Sequence, residues 1–449
     1  MLSPTDDPTI SPGAALLDRV RILLDLPPVR PALDTHATVP LPSRLATAEI
    51  AWASVASAML AAGLSPTVID PHRVATAYRS DRVLAIDGVA PPVWSPYSGF
   101  WRTTDGWVRT HGNYPHHAAA LRTALGLQDD ADADADAVHA ALEERTTADA
   151  VAAITRLGGL AVAVSAEDPA ADRALRAAPL LEVRHIATSA RRHPHHSRAT
   201  APQDDRLPLA GMRVLDLTRV IAGPVCTRTL ALLGADVLRI DPPHLPEPEW
   251  QHLDTGHGKR SALLDARTER MHELLAAADA VVLGYRPAAL DRLGLHPVVL
   301  AERYPNLVVA QLSAWGVDHP DRAGFDSLVQ AASGIALIES PDGDRPGTLP
   351  AQALDHSAGY LLAAAVTTLL QRRMREGGSW YTGTSLRRIA AELLGMPRDR
   401  EPQGEVEFDI RPHLARFDVD GTALVTSRPA MTGLEFDAPH PWGSDQPSW

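Results

Sequence analysis

The sequence has little of several residue types, and each shortage excludes a class of protein. The only cysteine is Cys226, which excludes an intrachain disulfide framework and a cysteine-based zinc site. Asp and Glu number 55 against 42 Lys and Arg, and the formal net charge of -13 argues against a nucleic-acid or membrane-surface partner. Apolar runs are shorter than the roughly 18 residues that span a bilayer, and the first residues lack the basic flank of a signal peptide. We therefore expect a cytoplasmic protein with no nucleic-acid, membrane or metal partner.

Lysine is almost absent as well. Lys259 is the only one, although Lys and Arg together number 42. It follows Gly256 and Gly258 and precedes Arg260, and backbone stripped of side chains beside two cations suits the close approach of a phosphate. Chance survival in an arginine-biased sequence explains it equally well. The spacing alone leaves both interpretations open.

Polar or proline-rich stretches divide the chain. The clearest is the histidine-bearing segment 191–206, which we interpret as a linker because no helix or strand fixes the spacing of its histidines for a metal. We predict a helical N-terminal segment at 1–90, a small α+β domain at 91–190, an α/β domain at 207–397 and a tail at 398–449.

Strands and helices alternate in the second half. We predict strands at 213–217, 236–240, 280–283 and 307–312, with helices at 224–233, 269–277 and 298–302. This alternation indicates an α/β fold with a parallel sheet covered by helices, in which ligands bind at the carboxyl ends of the strands. In the first half we predict a buried helix at 49–64 and a pair of short strands around Asp105-Gly106.

The loop Thr218–Pro224 joins the first of these strands to a helix, so its amides could face an anion at the helix N-terminus. Asp241 ends the next strand, where a dinucleotide-binding fold places a ribose-binding acid. The loop has only Gly223, however, and lacks the glycine fingerprint of NAD-binding proteins. An ordinary strand-to-helix connection therefore stays open beside a ligand-binding role.

Asp355 precedes a long apolar segment, Leu361–Leu370, which predicts a buried helix with Asp355 at or near its N-cap. We expect amide hydrogen bonds and the helix dipole to hold such a carboxylate ionised. A plain capping role accounts for the residue. A rigidly held carboxylate also suits covalent catalysis.

A series of motifs in this half resembles the class III (CaiB/BaiF) CoA-transferases. In chain order they are Pro208–Arg219, Ala222–Pro224, Leu233–Val237, Gly258–Ser261, Tyr285–Gly294 and Gly324–Asp326. The resemblance implies a Rossmann-like CoA-binding and catalytic domain at 207–397. The first half resembles the small domain of the same family, but it precedes the CoA-binding half, and Glu49 falls near an acidic position of that family.

The resemblance also implies a mechanism. Asp355 occupies the position of the family's catalytic aspartate, which attacks an acyl-CoA thioester and carries CoA to a second carboxylic acid. CoA is then a substrate, and no tightly bound cofactor is expected. The residues matched to positions near CoA are Arg219, Val220, Ala222, Lys259, Arg260, Tyr285, Arg286 and Arg292. The family forms interlocked dimers, so the resemblance implies a homodimer.

Two alternatives within the same fold remain. The related 2-methylacyl-CoA racemases use a histidine at the position of Phe325, and phenylalanine cannot transfer a proton, so racemization is disfavoured. His356 is next to Asp355, and we interpret it as structural. A non-catalytic acyl-CoA-binding or partner subunit is the other alternative, because Gly158-Gly159 is too short to match the family's glycine-rich active-site loop.

Overall fold

A computed structural model describes residues 10–29, 38–127, 135–187, 207–402 and 404–449. The predicted linker 191–206 lies outside the described residues. The strands are β1 (Ala85–Ile86), β2 (Phe100–Arg102), β3 (Trp107–Thr110), β4 (Ala161–Ala163), β5 (Glu182–Ala187), β6 (Arg213–Leu217), β7 (Asp236–Asp241), β8 (Lys259–Leu263), β9 (Ala280–Leu283), β10 (Val308–Ser313), β11 (Ser379–Ser385), β12 (Leu414–Val419) and β13 (Thr422–Ser427).

The main sheet confirms the predicted α/β class. Its strand order is β5-β11-β10-β9-β6-β7-β8, and every pair is parallel except β5 with β11. From β6 onward this is the doubly wound order, in which the chain reverses its direction of travel between β6 and β9. A crevice at the carboxyl ends of these two strands is therefore the expected ligand site.

Helices pack against the main sheet, and a helix of the N-terminal segment packs in turn against one of them. They are α1 (Pro12–Leu24), α2 (Thr47–Ala61), α3 (Pro71–Tyr78), α4 (Ser80–Val83), α5 (Pro115–Leu125), α6 (Ala135–Glu143), α7 (Thr147–Arg156), α8 (Pro169–Ala177), α9 (Ala222–Leu232), α10 (Glu249–Thr255), α11 (Glu269–Ala276), α12 (Pro287–Arg292), α13 (Pro297–Arg303), α14 (Asp326–Ser333), α15 (Ile335–Ile338), α16 (Ala353–Glu376) and α17 (Leu386–Leu394).

Helix α16 is the centre of this packing. It contacts α9 on the sheet and α2 of the N-terminal segment. Alanine and other small side chains dominate α2, so the two helices pack with almost every residue of α2 buried. Helix α16 is also long and apolar enough to cross a membrane, but its apolar window is wholly buried by protein, as expected for a core helix.

The two small sheets connect distant parts of the chain. β2, β3 and β4 form an antiparallel sheet, and the amide of Ser165, just after β4, donates to the Ala331 carbonyl of α14. β1 pairs with β13 in the sheet β1-β13-β12, so the predicted tail contributes a hairpin to the N-terminal segment. β5, within the predicted small domain, forms the edge of the main sheet.

Most predicted elements agree with the structure to within a few residues, and the strands at 213–217 and 280–283 agree at both ends. The predictions missed the antiparallel edge strand β5 and two parallel strands of the main sheet, β8 and β11. Strands β8 and β11 have polar residues at several positions, such as Lys259, Ser261, Thr382 and Thr384, although both strands are largely buried. A prediction that looks for runs of apolar residues does not find strands of this composition.

Gly334 offers a test of how the small sheet packs on α14. Its φ is 97°, and a Cβ there would overlap the backbone of Glu167. We expect Gly334→Ala to lower the free energy of unfolding by about 2–4 kcal/mol, through backbone strain and steric overlap together. Gly343→Ala is the matched control, since φ is 83° there with no atom within 4 Å of the added Cβ. Equal losses for the two variants in urea unfolding would contradict this packing.

Candidate active site

A cavity of about 400 Å³ lies at the carboxyl ends of β6 and β9, where the strand order reverses. The loop after β6 contributes Arg219, Val220 and Ala222, and the segment after β9 contributes Tyr285 and Arg286. Asp355, from the first turn of α16, lines the same cavity. The structure therefore brings together the predicted nucleophile and most of the residues predicted near CoA.

Close packing fixes the loop between β6 and α9. A Cβ at Gly223 would overlap the Thr218 side chain, so only glycine fits there. Val220 has a φ of 71°, which is rare for a β-branched residue. Its amide donates to Glu247 Oε1 at 3.0 Å, and this hydrogen bond helps to hold the strained backbone at the cavity wall.

Glu247 is buried among cations and was missed from the sequence. Its Oε2 accepts from Arg219 Nε at 2.9 Å and from Arg239 at 2.7 Å, and its Oε1 accepts from the Tyr114 hydroxyl at 2.9 Å. Burial alone would raise its pKa, but Arg239 and Arg219 lower it to about 2. The Arg219 guanidinium also stacks on the Tyr114 ring at 4.8 Å. Arg219 is thus already neutralised by a carboxylate at the cavity wall.

Lys259 lies inside the protein and does not line the cavity. Its side chain is 1% exposed, and Nζ donates to Asp216 Oδ2 at 3.0 Å, the Pro224 carbonyl at 3.2 Å and Thr227 Oγ1 at 2.8 Å. An ammonium group has three protons, so these acceptors satisfy it completely. Burial, partly offset by Asp216, lowers its pKa to about 8. These contacts favour a structural role over the predicted phosphate contact.

Three other sequence candidates also lie outside the cavity lining. Arg260 pairs with Asp236 at 2.8 Å and donates to the Ser448 carbonyl, which attaches the end of the chain to the sheet. Arg292 is exposed and lies 3.5 Å from Asp321. Asp241 is buried in a bidentate pair with Arg239. None of these contacts requires a nucleotide.

Close helix packing brings Asp355 to the cavity. A Cβ at Gly359 would lie 2.6 Å from the Ala222 carbonyl oxygen, so glycine lets α16 approach the start of α9. Asp355 is the third residue of α16 and is 5% exposed. The expectation that it is held ionised is wrong: burial, and then the neighbouring Asp326, raise its pKa well above the ordinary value.

Asp326 takes the capping role that the sequence suggested for Asp355. Its Oδ2 accepts the Asp355 amide at 2.9 Å, the Leu354 amide also contributes, and Oδ1 accepts from Gln330 at 2.5 Å. Burial nevertheless raises the pKa of Asp326 to about 6. Because the amide donors favour the ionised form of Asp326, we place the shared excess proton of this coupled pair on Asp355.

The N-terminal half supplies the opposite wall of the cavity. Tyr114, His116, His117, Gly158 and Leu160 line it, so one chain provides both walls. Burial lowers the pKa of His117 to about 4, which leaves its ring neutral. The sequence carried one usable signal for this wall, the pair of histidines at the start of α5.

Comparison with known proteins finds a family match in the second half of the chain. Residues 209–396 match the model of CoA-transferase family III. The matched stretch is less than half of the chain.

Curated relatives match part of the chain. The chain is 35% identical over 190 residues to a probable fatty acyl-CoA transferase of Mycobacterium tuberculosis, covering 38% of this chain and 48% of the relative. It is 28% identical to mouse succinyl-CoA:glutarate CoA-transferase, covering 49% and 57%. A crystal structure of the mycobacterial protein matches at 32% identity with a TM-score of 0.39, covering 41% and 56%. The chain thus spans about half the length of these relatives.

Phe325 is the residue that the sequence resemblance matches to the histidine of the racemases. It lines the cavity and stacks on His111 with ring centroids 4.0 Å apart. His356 points elsewhere: it is buried against Tyr78, with ring centroids 4.9 Å apart, and burial lowers its pKa to about 3. Phe325 itself therefore cannot transfer a proton, and the imidazoles that line this cavity are those of His116 and His117.

Asp70, His72 and His413 form a separate cluster in the described residues, with potential ligand atoms within 4.8 Å of one another. Asp70 caps α3 through the amides of His72 and Arg73. None of the three residues lines the cavity. The cluster is therefore no part of the candidate active site.

The buried pair Lys259–Asp216 predicts a large effect on stability. Lys259→Met leaves Asp216 buried without its countercharge, and we expect a loss of about 3–5 kcal/mol in the free energy of unfolding. The neighbouring Arg260→Gln breaks a partly exposed ion pair and should cost about 1 kcal/mol or less. Urea unfolding compares the two. A Lys259→Met protein as stable as Arg260→Gln would refute the structural role.

Proposed function

We propose that this protein is an enzyme that moves CoA between an acyl-CoA and a carboxylic acid, with Asp355 as the nucleophile. The observation that carries the proposal is the position of Asp355, in the cavity at the strand-order reversal together with Arg219, Val220, Tyr285 and Arg286. The match of residues 209–396 to the model of CoA-transferase family III supports the same activity.

The chemistry balances without a cofactor. The ionised carboxylate of Asp355 attacks the thioester carbonyl, the C–S bond breaks, and an acyl–aspartyl anhydride and CoA thiolate form. The thiolate attacks the aspartyl carbonyl, releasing the donor acid and leaving an aspartyl-CoA thioester. The acceptor carboxylate displaces the thiolate to give a second anhydride. The thiolate then attacks its acyl carbonyl, which forms the new acyl-CoA and regenerates Asp355.

The charges around the cavity favour different roles for its two arginines. Arg219 is paired with Glu247, so it holds the loop that forms the cavity wall. Arg286 is exposed and donates to the Asp321 carbonyl at 3.1 Å, and no ion pair of Arg286 occurs among the described residues. We therefore propose Arg286 as the main phosphate contact, in keeping with the bidentate geometry of guanidinium and phosphate.

Other parts of the proposal concern the whole protein. We expect a homodimer and a cytoplasmic location. A non-catalytic acyl-CoA-binding subunit would bind CoA tightly without acylating Asp355, whereas a racemase would exchange the α-proton of a 2-methylacyl-CoA with deuterium. Phe325 in the cavity wall favours transfer over racemization.

Trapping tests the nucleophile directly. Incubation with an acyl-CoA followed by hydroxylamine or borohydride should modify Asp355 alone, as read by peptide mass spectrometry. Asp355→Asn should lose both the adduct and transfer, with a fall of at least ~10³-fold in kcat because an amide is a poor nucleophile. The exposed Asp291→Asn on α12 is the control. Full transfer activity in Asp355→Asn would sink the proposal.

Activity should depend on pH through the pair of carboxylates. Only ionised Asp355 attacks the thioester, so burial and Asp326, which raise its pKa, should place an acid limb in the rate of acylation. Asp326→Asn removes the neighbouring negative charge and should lower this pKa, which moves the limb to lower pH. Stopped-flow measurement of thiolate release gives the profile. Circular dichroism at each pH separates the limb from acid unfolding, and an unmoved limb in a folded variant would contradict the coupling.

A further inference from the structure

A second cavity of about 550 Å³ lies on the other side of the segment that carries Asp326. Phe325 lines the first cavity, whereas Ser327 lines the second. Gln330, whose amide donates to Asp326, and Gln352, the residue before α16, also line the second cavity. The two cavities thus flank the wall that holds the carboxylate pair.

The second cavity contains a buried cation without an ion-pair partner among the described residues; Asp326 attracts it only from beyond ion-pair distance. Arg109, from β3, is 6% exposed, and its guanidinium is packed by the rings of Trp94 at 5.1 Å and Phe100 at 4.8 Å. Among the described residues no carboxylate lies within ion-pair distance of it, and Nε has no hydrogen-bond partner. Burial lowers the pKa of Arg109 to about 10, so it stays protonated at neutral pH.

Burial of the Arg109 guanidinium lowers the stability of the protein unless an anion binds beside it. An ion removed from water without a partner destabilises a protein by several kcal/mol, on the order of the whole effect of a broken buried pair. Ser327 Oγ, also in the cavity lining, is a second buried polar atom without a partner. Because aromatic rings pack against the guanidinium of Arg109, its N–H groups at the edge are the part that can bind a ligand. These N–H groups can donate two parallel hydrogen bonds to one carboxylate.

The other charged residues that line the second cavity, Asp81 and Arg82, leave the positive charge of Arg109 uncancelled. Asp81 and the exposed Arg82 are adjacent and oppose each other. Burial, with a contribution from Asp254, raises the pKa of Asp81 to about 6. Arg109 is therefore the buried positive charge that lines this cavity, while Asp326 lies outside the lining, and one buried cation suits a single carboxylate better than the several phosphate charges of CoA.

We propose that the second cavity binds a carboxylate of the acceptor acid through Arg109. This inference rests on the proposed function, because it names the substrate whose other carboxylate would react at Asp355 in the first cavity. Its volume lies within the range of roughly 300–1,000 Å³ of small-molecule sites, which leaves room for an acid larger than a single carboxylate. Arg109 acts as a binding residue, and Asp355 keeps the covalent chemistry.

Binding to the full chain tests this directly, without turnover. Isothermal titration with sodium succinate and sodium benzoate, against sodium chloride, should give saturable binding of at least one acid to the wild type. Arg109→Gln should weaken that binding at least tenfold and leave the affinity for CoA unchanged. Arg109→Lys keeps the positive charge but loses the bidentate guanidinium, so its affinity for the acid should lie between those of the wild type and Arg109→Gln. Arg102→Gln, on neighbouring β2 with an exposed pair to Asp344, is the matched control.

Stability and trapping give independent readings. Removal of an unpaired buried charge should leave the thermal midpoint of Arg109→Gln unchanged or raised, whereas a purely structural arginine would lower it. The Asp355 adduct with acyl-CoA should form normally in Arg109→Gln. Absence of that adduct in the wild type would refute the proposed function alone. Absence of saturable acid binding in the wild type, equal binding in Arg109→Gln, or a matching loss of CoA affinity would overturn the acid site.

Discussion

The buried ion pair between Lys259 and Asp216 fixes the part of the sheet on which the candidate site depends. Asp216 Oδ2 and the Lys259 ammonium join β6 to β8, while Pro224 and Thr227 extend the same cluster into α9. Asp216 Oδ1 also accepts the Thr218 amide at 3.0 Å. A compact ammonium satisfies three acceptors around one point, and the wider, planar guanidinium does not. This geometry explains why one lysine persists in a sequence that otherwise uses arginine.

Two buried carboxylates define the chemistry of the site, and their surroundings separate their roles. Asp326 receives backbone and side-chain donors, so it is the better-stabilised anion. The backbone amide of Asp355 donates a hydrogen bond to Asp326. Burial and the charge of Asp326 both oppose ionisation of the Asp355 carboxyl. The different environments of two neighbouring carboxyl groups thus suit different roles: Asp326 caps the helix, and Asp355 is the proposed nucleophile. The cap holds the helix start in place, and the poorly stabilised carboxyl is the more basic, hence more nucleophilic, when ionised.

The sequence predicts local elements better than it predicts the site. Apolar periodicity located β6 and β9, and the apolar segment after Asp355 located α16. The role of Lys259 stayed open because burial is not visible in Gly-Lys-Arg-Ser. Glu247 follows a proline and has no periodic context, yet it contacts Tyr114, 133 positions away. Such long-range pairs arise from tertiary packing, which a local pattern does not encode.

Residues from both halves of the chain build one cavity. Strand pairing and side-chain contacts depend on which surfaces meet, whereas chain order matters only through the connections between them. Here β5 extends the main sheet at its edge, Ser165 donates to α14, and Tyr114 reaches Glu247 at the cavity wall. Residues of both halves consequently face Asp355 in the same cavity. A partner subunit is therefore not needed to supply this wall, whatever the oligomeric state.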